Sequence, residues 1–393
     1  MGVLKYAYVG EGVATQHPLI IFGGIMIKIL HVISDKNIGG AGKLLLNLLK
    51  EANRELFDIS VILLKGSALK KKVDELGIKT ILLENFGLGT LIGEIKCQSP
   101  HIVHTHAAGM ARVAARLCGR IITVNTKHCS NEVIKKAPFL KRNAVRLLDI
   151  IFTDFTISTA DYVRETLLLS GILPYKTAVI VNGSHALNEF SDDEIGRIKE
   201  SLGYSKSDFL VGIVGRLEDG KGQEIFIHAA EICQKSNPRI KFLIVGSGSM
   251  EDRLKLLAKD LNNIKFLGFL SDVTEIMNAI DVNVNCSYIS ETSSLSLSEG
   301  MSVGAVPIVS DCGGNSFMAR NCGIVFPKKD HRALANAIID LEGNRMKKNM
   351  LAKESKKRFN ALFTAEKMTQ NTEKIYLELL EGNNHTKKHK ILL

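Results

Sequence analysis

An α/β protein of two doubly wound parallel-sheet domains is the fold that this chain's order of elements predicts. Short runs rich in Ile and Val alternate with segments of helical period, the pattern of strands covered on both faces by crossover helices. The alternation opens at Met26, pauses near Asn182 and restarts with the apolar run 209–214. At 393 residues and 45% hydrophobic composition, the chain can build two globular domains, each with its own core.

Composition narrows the partners. No run of eighteen apolar residues occurs, so the sequence offers no membrane-spanning helix. Seven scattered cysteines without a Cys-x-x-Cys pair predict reduced thiols in a cytoplasm, packed as small hydrophobes. The formal net charge of +10 permits attraction to nucleic acid, anionic lipid or acidic substrates. With no Trp and no basic segment interleaved with aromatics, nucleic acid is not an expected partner.

Residues 1–25 read as a poorly packed N-terminal extension, since Glu11, His17 and Pro18 interrupt any signal-like apolar core. The strand 27–34 then feeds Asn37-Ile-Gly-Gly-Ala-Gly-Lys43 and a helix 44–53. Glycines such as Gly39 and Gly40 at a strand-to-helix turn let backbone approach a phosphate or sugar, with a plain tight turn as the alternative. The spacing is neither a Walker loop nor Gly-x-Gly-x-x-Gly.

Strand 58–64, helix 67–76, strand 79–83, helix 88–97, strand 101–104, helix 108–118 and strand 120–125 continue the layout, in which ligands bind beyond the carboxyl ends of strands. That topology aims His104, His106 and His128 at a crevice, with His104 and His106 read as packing or acceptor-side residues. Their count allows a metal triad, but no carboxylate shares the spacing and no metal is expected.

The run 135–148 groups Lys135, Lys136, Lys141, Arg142 and Arg146 with Phe139, Leu140, Val145, Leu147 and Leu148. It suits a basic amphipathic helix on an anionic membrane surface, or an ordinary surface helix. The run 149–158 reads as a buried strand and 161–170 as a helix. The first domain, 26–183, closes at Asn182-Gly183 and a linker covers 184–192.

The second domain, 193–360, places strand 209–214 before Gly215-Arg216-Leu217-Glu218-Asp219-Gly220-Lys221-Gly222 and a helix 223–236. Arg and Lys five apart beyond a strand end can pin both phosphates of a diphosphate; two surface cations are the alternative. Strand 240–245, a Gly246-Ser247-Gly248 turn, helix 250–259 and strand 264–266 follow.

The stretch 284–314 carries the densest chemistry. Strand 281–286 leads through a polar loop 287–291 to a helix capped by Thr292, Ser293 and Ser294 and stopped by Gly304 and Pro307. Such a helix start favours an anion, so a diphosphate fits on Ser294 and Leu295. Glu291 and Glu299 bracket that position, and a carboxylate's two acceptor oxygens suit a vicinal diol. Two solvated surface glutamates are the alternative. The tract 353–380 reads as one long helix with Phe359, Phe363, Met368, Ile375, Tyr376, Leu379 and Leu380 on its apolar positions, and 382–393 as a flexible tail.

The order Glu291, seven residues, Glu299, then Gly-Met-Ser-x-Gly-x-x-Pro and Ser-Asp-x-Gly-Gly resembles the donor-site signature of retaining GT-B glycosyltransferases of family 4, in its bacterial polysaccharide-biosynthesis form. Gly215-Arg216 with Lys221-Gly222 resembles that family's Gly-Arg-x-x-x-x-Lys-Gly motif. Thr292, Ser293 and Ser294 depart from it, standing where the family usually has Gly-Phe-Gly.

The resemblance covers 26–381. It implies a GT-B fold, two Rossmann-like domains with a cleft between them, an acceptor-side first domain, a donor-binding second, and a helix 361–381 crossing back to the first. It implies a retaining transfer of a hexose or related sugar from a nucleotide-diphosphate donor, a UDP-sugar by expectation, to a saccharide or lipid-linked glycan. Arg216 and Lys221 would then stabilise the diphosphate, Glu291 hold the hexose, Glu299 the ribose and His128 the donor sugar. Gly39, Gly40, Gly215, Gly222, Ser293, Ser294 and Leu295 would line the donor site. The nucleotide sugar is a substrate, so no cofactor is expected. The setting would be cytoplasmic, peripheral on the inner membrane face. A GT-B epimerase, a glycogen-type synthase and a non-catalytic GT-B partner protein are the rival readings.

Overall fold

The computed structural model describes residues 26–128, 147 and 149–389, the last seven by backbone alone. The expected extension 1–25 and all but one residue of the expected basic helix 135–148 lie outside the described residues. The chain divides into two compact units, Met1–Val181 with Ala365–Leu393, and Asn182–Thr364.

The first unit runs β1 (Ile27–Ile33), α1 (Gly40–Glu51), β2 (Phe57–Leu64), α2 (Leu69–Glu75), β3 (Lys79–Leu83), α3 (Leu88–Gln98), β4 (Ile102–His106), α4 (Gly109–Leu117), β5 (Ile122–Lys127), β6 (Phe155–Ser158), α5 (Asp161–Leu169) and β7 (Thr177–Val179). All pair in parallel, in the order β3-β2-β1-β4-β5-β6-β7. Successive side chains of a strand point to opposite faces, which explains the continuous apolar run of β1. Ile29 and Ile33 pack with Leu45 and Leu49 of α1, whereas Leu30 and Val32 pack with Leu91 of α3 and Ala111 of α4.

The second unit runs α6 (Asp192–Ser201), β8 (Phe209–Val214), α7 (Gln223–Ser236), β9 (Ile240–Val245), α8 (Glu251–Leu257), β10 (Ile264–Gly268), α9 (Thr274–Ala279), β11 (Val282–Asn285), α10 (Leu295–Val303), β12 (Val306–Ser310), α11 (Asn315–Ala319), β13 (Ile324–Phe326), α12 (His331–Gly343) and α13 (Arg345–Leu362). Its sheet is again parallel, in the order β10-β9-β8-β11-β12-β13. In both sheets the strand order reverses beside the first strand, at β1/β4 and β8/β11, where a crevice opens for ligands. Two Rossmann-like parallel-sheet units make this a GT-B fold.

Three expectations change. The strand expected over 149–158 begins only at Phe155. Asp149 instead lies buried in a helical turn, 2.8 Å from Arg112 Nη1 and 3.6 Å from Lys127 Nζ. A buried carboxylate requires charged partners, which a strand ladder does not supply. The long helix expected over 353–380 is two helices, α13 and α14 (Ala365–His389), parted at Phe363 and Thr364. There the Ser184 N–H donates to the Phe363 carbonyl at 2.9 Å, and Ser184 bridges Thr364. The apolar stripe is thereby shared out: Phe359 and Phe363 are buried in the second unit, while Met368, Ile375 and Tyr376 join the core of the first. Past Gly382, where a tail is expected to fray, the backbone stays helical to His389, each added residue gaining one helical hydrogen bond.

Candidate active site

Strands β8 and β11 are neighbours in the sheet, so the loops that follow them meet although some 70 residues separate them in sequence. The first loop carries Gly215, Arg216, Lys221 and Gly222; the second carries Ser287 and Glu291. Their contact is close at backbone level. The Tyr288 N–H donates to the Gly220 carbonyl at 2.9 Å. Gly222 caps α7 at φ +77°, and a Cβ there would stand 2.2 Å from the Cys286 carbonyl oxygen, so both conformation and space demand glycine.

Lys221 Nζ meets Glu291 Oε2 at 2.8 Å. The same oxygen accepts from Ser287 Oγ at 2.9 Å and Asn285 Nδ2 at 3.3 Å. Burial acts to raise the Glu291 pKa, but the Lys221 charge and these three hydrogen bonds outweigh it and hold the carboxyl below its ordinary value. Asn285 is itself oriented: its Oδ1 accepts from the Ser287 N–H at 3.0 Å and from Asn315 Nδ2 at 3.3 Å. Asn315 is fully buried and also donates to Ser310 Oγ at 3.2 Å. Arg216 is exposed, and its guanidinium donates no hydrogen bond among the described residues.

Ser294 caps α10, its Oγ accepting from the Leu297 N–H at 3.4 Å. Ser293 is buried, with its Oγ accepting from the Asn182 N–H and its carbonyl from Asn182 Nδ2, each at 2.9 Å. Further along α10, Ser298 bonds Ser184 Oγ at 2.8 Å and Ser302 accepts from the Leu187 N–H at 3.1 Å. The segment 182–187 is thus laced to the helix start by a stripe of serines. Glu299 lies on α10, half-buried, and Leu295 is its first residue.

Sequence reasoning missed Asn182, Asn285, Ser287 and Asn315. The signal available was the pair Asn283 and Asn285 inside an otherwise apolar strand, since buried amides need partners.

The first unit places Gly39 as the cap of α1 and Gly40 as its first residue. Neither has a positive φ, and a Cβ on Gly40 would meet nothing within 4 Å. The turn itself therefore does not require the pair. His128 follows β5, half-buried, and burial pushes its pKa down to about 4. His104 and His106 do not open onto a crevice: they are fully buried, as is His31. Ring nitrogens of His31, His104 and His106 come within 4.8 Å of one another. All but His31 Nε2 are already employed, however. His104 bonds Tyr376 Oη and, at 2.7 Å, Thr126 Oγ1, while His106 bonds His31 and His128, each at 3.2 Å. A cation would have to break these bonds and stand without any carboxylate.

Residues 194–358 match the family described as glycosyl transferases group 1. The chain is 28% identical over 287 residues to EpsD of Bacillus subtilis (strain 168), across 68% of this chain and 74% of that one. It is 25% identical over 272 residues to the capsular polysaccharide biosynthesis glycosyltransferase CapH of Staphylococcus aureus, across 65% and 72%. The crystal structure of Anabaena HepE with UDP superposes with a TM-score of 0.80 at 20% identity, over 89% of this chain and 99% of that one; its complex with UDP-glucose gives 0.78 at 22%. Fold, family match and relatives together support a GT-B glycosyltransferase.

Proposed function

We propose that this GT-B glycosyltransferase is a retaining hexosyltransferase that draws on a UDP-sugar and extends a saccharide or lipid-linked glycan in cell-surface polysaccharide synthesis. The observation that carries the reading is the Lys221–Glu291 pair at the ends of the adjacent strands β8 and β11, with Arg216 on the same loop as Lys221. CapH is named for polysaccharide biosynthesis, and HepE was crystallised with UDP and UDP-glucose; both facts support the choice of pathway and donor.

When the bond from the sugar to the diphosphate breaks, negative charge grows on the departing phosphate. Arg216, as a planar fork, and Lys221, as a point charge, would take up that charge, and contacts that strengthen in the transition state lower the barrier. The N-terminus of α10 adds a partial positive charge at Ser294 and Leu295. Lys221 has three donors, so it can keep Glu291 and still meet a phosphate oxygen. Glu299 would hold the ribose diol, Glu291 the hexose hydroxyls and His128 the donor sugar. Gly39 and Gly40 would let backbone approach the donor phosphates. Retention would follow from attack on the face the diphosphate leaves, its oxygen receiving the acceptor proton, rather than from a covalent sugar on a carboxylate.

The deciding experiment incubates the protein with radiolabelled UDP-glucose, UDP-galactose, UDP-N-acetylglucosamine and GDP-mannose, with membrane extract as acceptor, and follows nucleotide release and the anomeric configuration of the product. Release with the donor's configuration kept is expected. An inverted product would overturn retention, and an isomerised free donor would favour the epimerase. Among the described residues no helix is long and apolar enough to cross a membrane. Docking would instead use the basic run 135–148 on the inner membrane face, where each cation near an anionic leaflet contributes about 1 kcal/mol. Flotation with anionic but not neutral vesicles, lost with salt and on changing Lys135, Lys136, Lys141, Arg142 and Arg146 to Gln, is the expected result.

A further inference from the structure

Glu291 is held from the protein side through one of its two carboxylate oxygens. Lys221 Nζ, Ser287 Oγ and Asn285 Nδ2 all donate to Oε2, at 2.8, 2.9 and 3.3 Å, and none of these bonds uses Oε1. The backbone is fixed as well, since the Gly314 N–H donates to the Glu291 carbonyl at 2.9 Å. Asn285 is the last residue of β11, and Asn315 is the first of α11, which follows the neighbouring strand β12. Both side chains are buried. Asn285 Oδ1 accepts from the Ser287 N–H at 3.0 Å and from Asn315 Nδ2 at 3.3 Å. Asn315 Nδ2 also donates to Ser310 Oγ at 3.2 Å, and that hydroxyl donates in turn to the Ser287 carbonyl at 2.5 Å.

We infer that Asn285 is a positioning residue: its amide, oriented by the Ser287 N–H and by Asn315, commits Oε2 of Glu291 to the protein and leaves Oε1 to take a ligand hydroxyl. The argument is one of donors and acceptors. A backbone N–H can only donate, so the Asn285 atom that faces Ser287 is the oxygen, and the nitrogen faces Glu291. Turning the amide over would set its NH2 against the Ser287 N–H and its oxygen against a carboxylate, two repulsions in place of two bonds. Asn315 is decided in the same way. Ser310 Oγ has given its hydrogen to Ser287 and Asn285 Oδ1 has none, so both need the two hydrogens of Asn315 Nδ2. That leaves Asn315 Oδ1 buried without a partner. A bare acceptor is better tolerated than the orphaned buried N–H groups that the turned amide would put there.

With Oε2 held by three donors, the plane of the carboxylate is set before any ligand arrives. The ordering of this side chain is completed in folding rather than on binding. The use of Oε1 on a hexose hydroxyl rests on the proposed function; the fixing of Glu291 by Asn285 does not.

The test uses the full-length protein and two substitutions. Asn285→Leu keeps nearly the same shape without a donor, and Asn285→Asp keeps an acceptor for Ser287 and Asn315. Crystal structures without nucleotide read the positioning directly. Wild type should show one Glu291 conformer with Oε2 on all three donors, and Asn285→Leu a carboxylate displaced or divided between conformers. An unmoved Glu291 in the variant would overturn the inference whatever the enzyme's activity. Should Asn285→Leu not fold, Asn285→Asp crystallised above pH 8 takes its place, with the same expectation. Donor turnover, with the sugar nucleotide found active, gives the second reading. Asn285→Leu should lose about 10- to 100-fold, as residues that orient metal ligands do, while binding of the free nucleotide diphosphate is kept, which a general collapse of the site would not spare. In Asn285→Asp a protonated carboxyl can donate to Oε2 as the amide does and an ionised one cannot, so its turnover relative to wild type should fall as pH rises. A loss in Asn285→Leu without that trend in Asn285→Asp would overturn the donor role. If Glu291 moves in Asn285→Leu yet transfer is normal, the positioning stands and the hexose contact of Glu291 falls.

Discussion

Under the proposed function, Glu291 and its partners would set the chemistry at the scale of single residues. Arg216→Ala and Lys221→Ala should each leave circular dichroism unchanged and remove about 2–4 kcal/mol of transition-state stabilisation. Wild-type turnover of both at saturating donor would remove them from the site. If Glu299 holds the ribose as proposed, Glu299→Ala should raise the donor KM with little change in kcat, because a ribose contact is equal in ground and transition states. The buried histidines set a pH limit. Burial pushes His31 down to about 3 and His104 and His106 well below the ordinary value. Below pH 6.5 the unfolded chain takes protons that the folded chain refuses, so stability falls as pH drops from about 6.5 towards 3. The slope is at most about 1.4 kcal/mol per pH unit for each histidine. Urea midpoints at pH 7.5, 6 and 5 measure this, and equal midpoints would contradict it. The spacing of Arg216 and Lys221 was legible because both lie on one loop. Asn285 and Asn315 were not, since what makes them matter is a hydrogen-bond route through three loops to Glu291.

At the scale of elements, the start of α10 depends on segments that the sequence separates from it. Asn182, which reads as a turn residue, clamps Ser293 with two hydrogen bonds. Ser293, which reads as a cap, joins Ser298 and Ser302 in a bonding stripe for 182–187. Asn182→Ala should cost about 1 kcal/mol in chemical denaturation and weaken donor binding by loosening the helix start. Gly222→Ala is the harsher change. It adds a Cβ 2.2 Å from a backbone oxygen at φ +77°, so the loop carrying Lys221 must move away from Glu291. A loss of roughly 2–3 kcal/mol is expected from the backbone strain alone, together with lost transfer; a variant as stable and active as wild type would refute this account of the loop contact.

For the whole molecule, the discontinuous first unit yields the clearest prediction. Met368, Ile375 and Tyr376 of α14 complete a core otherwise built from residues before Val181. The Asn53 N–H also donates to Glu373 Oε1 at 2.8 Å. A fragment of residues 26–181 should therefore be insoluble or lack a cooperative thermal transition, while a fragment of 182–364 should melt cooperatively alone. Adding a peptide of 365–389 should restore order to the first fragment, and cooperative melting without it would overturn the assignment of α14 to that core.

Alternation of apolar strands and helical segments is a local property with fixed periods, so the two parallel sheets and nearly every strand were legible in composition and spacing alone. The ends of Arg216, Lys221 and Glu291 at strand termini were legible for the same reason. Which strands become neighbours is not local. The pairing of β8 with β11 brings Lys221 to Glu291, and the pairing of β1 with β4 sets His31 beside His104. His104 and His106 read as packing or acceptor-side residues at the end of a strand, but that Tyr376, 272 residues away, would cover His104 was not legible. The division of the C-terminal tract was equally hidden, because one apolar stripe can serve one core or two, and only the tertiary contacts of Phe363 and Met368 distinguish them.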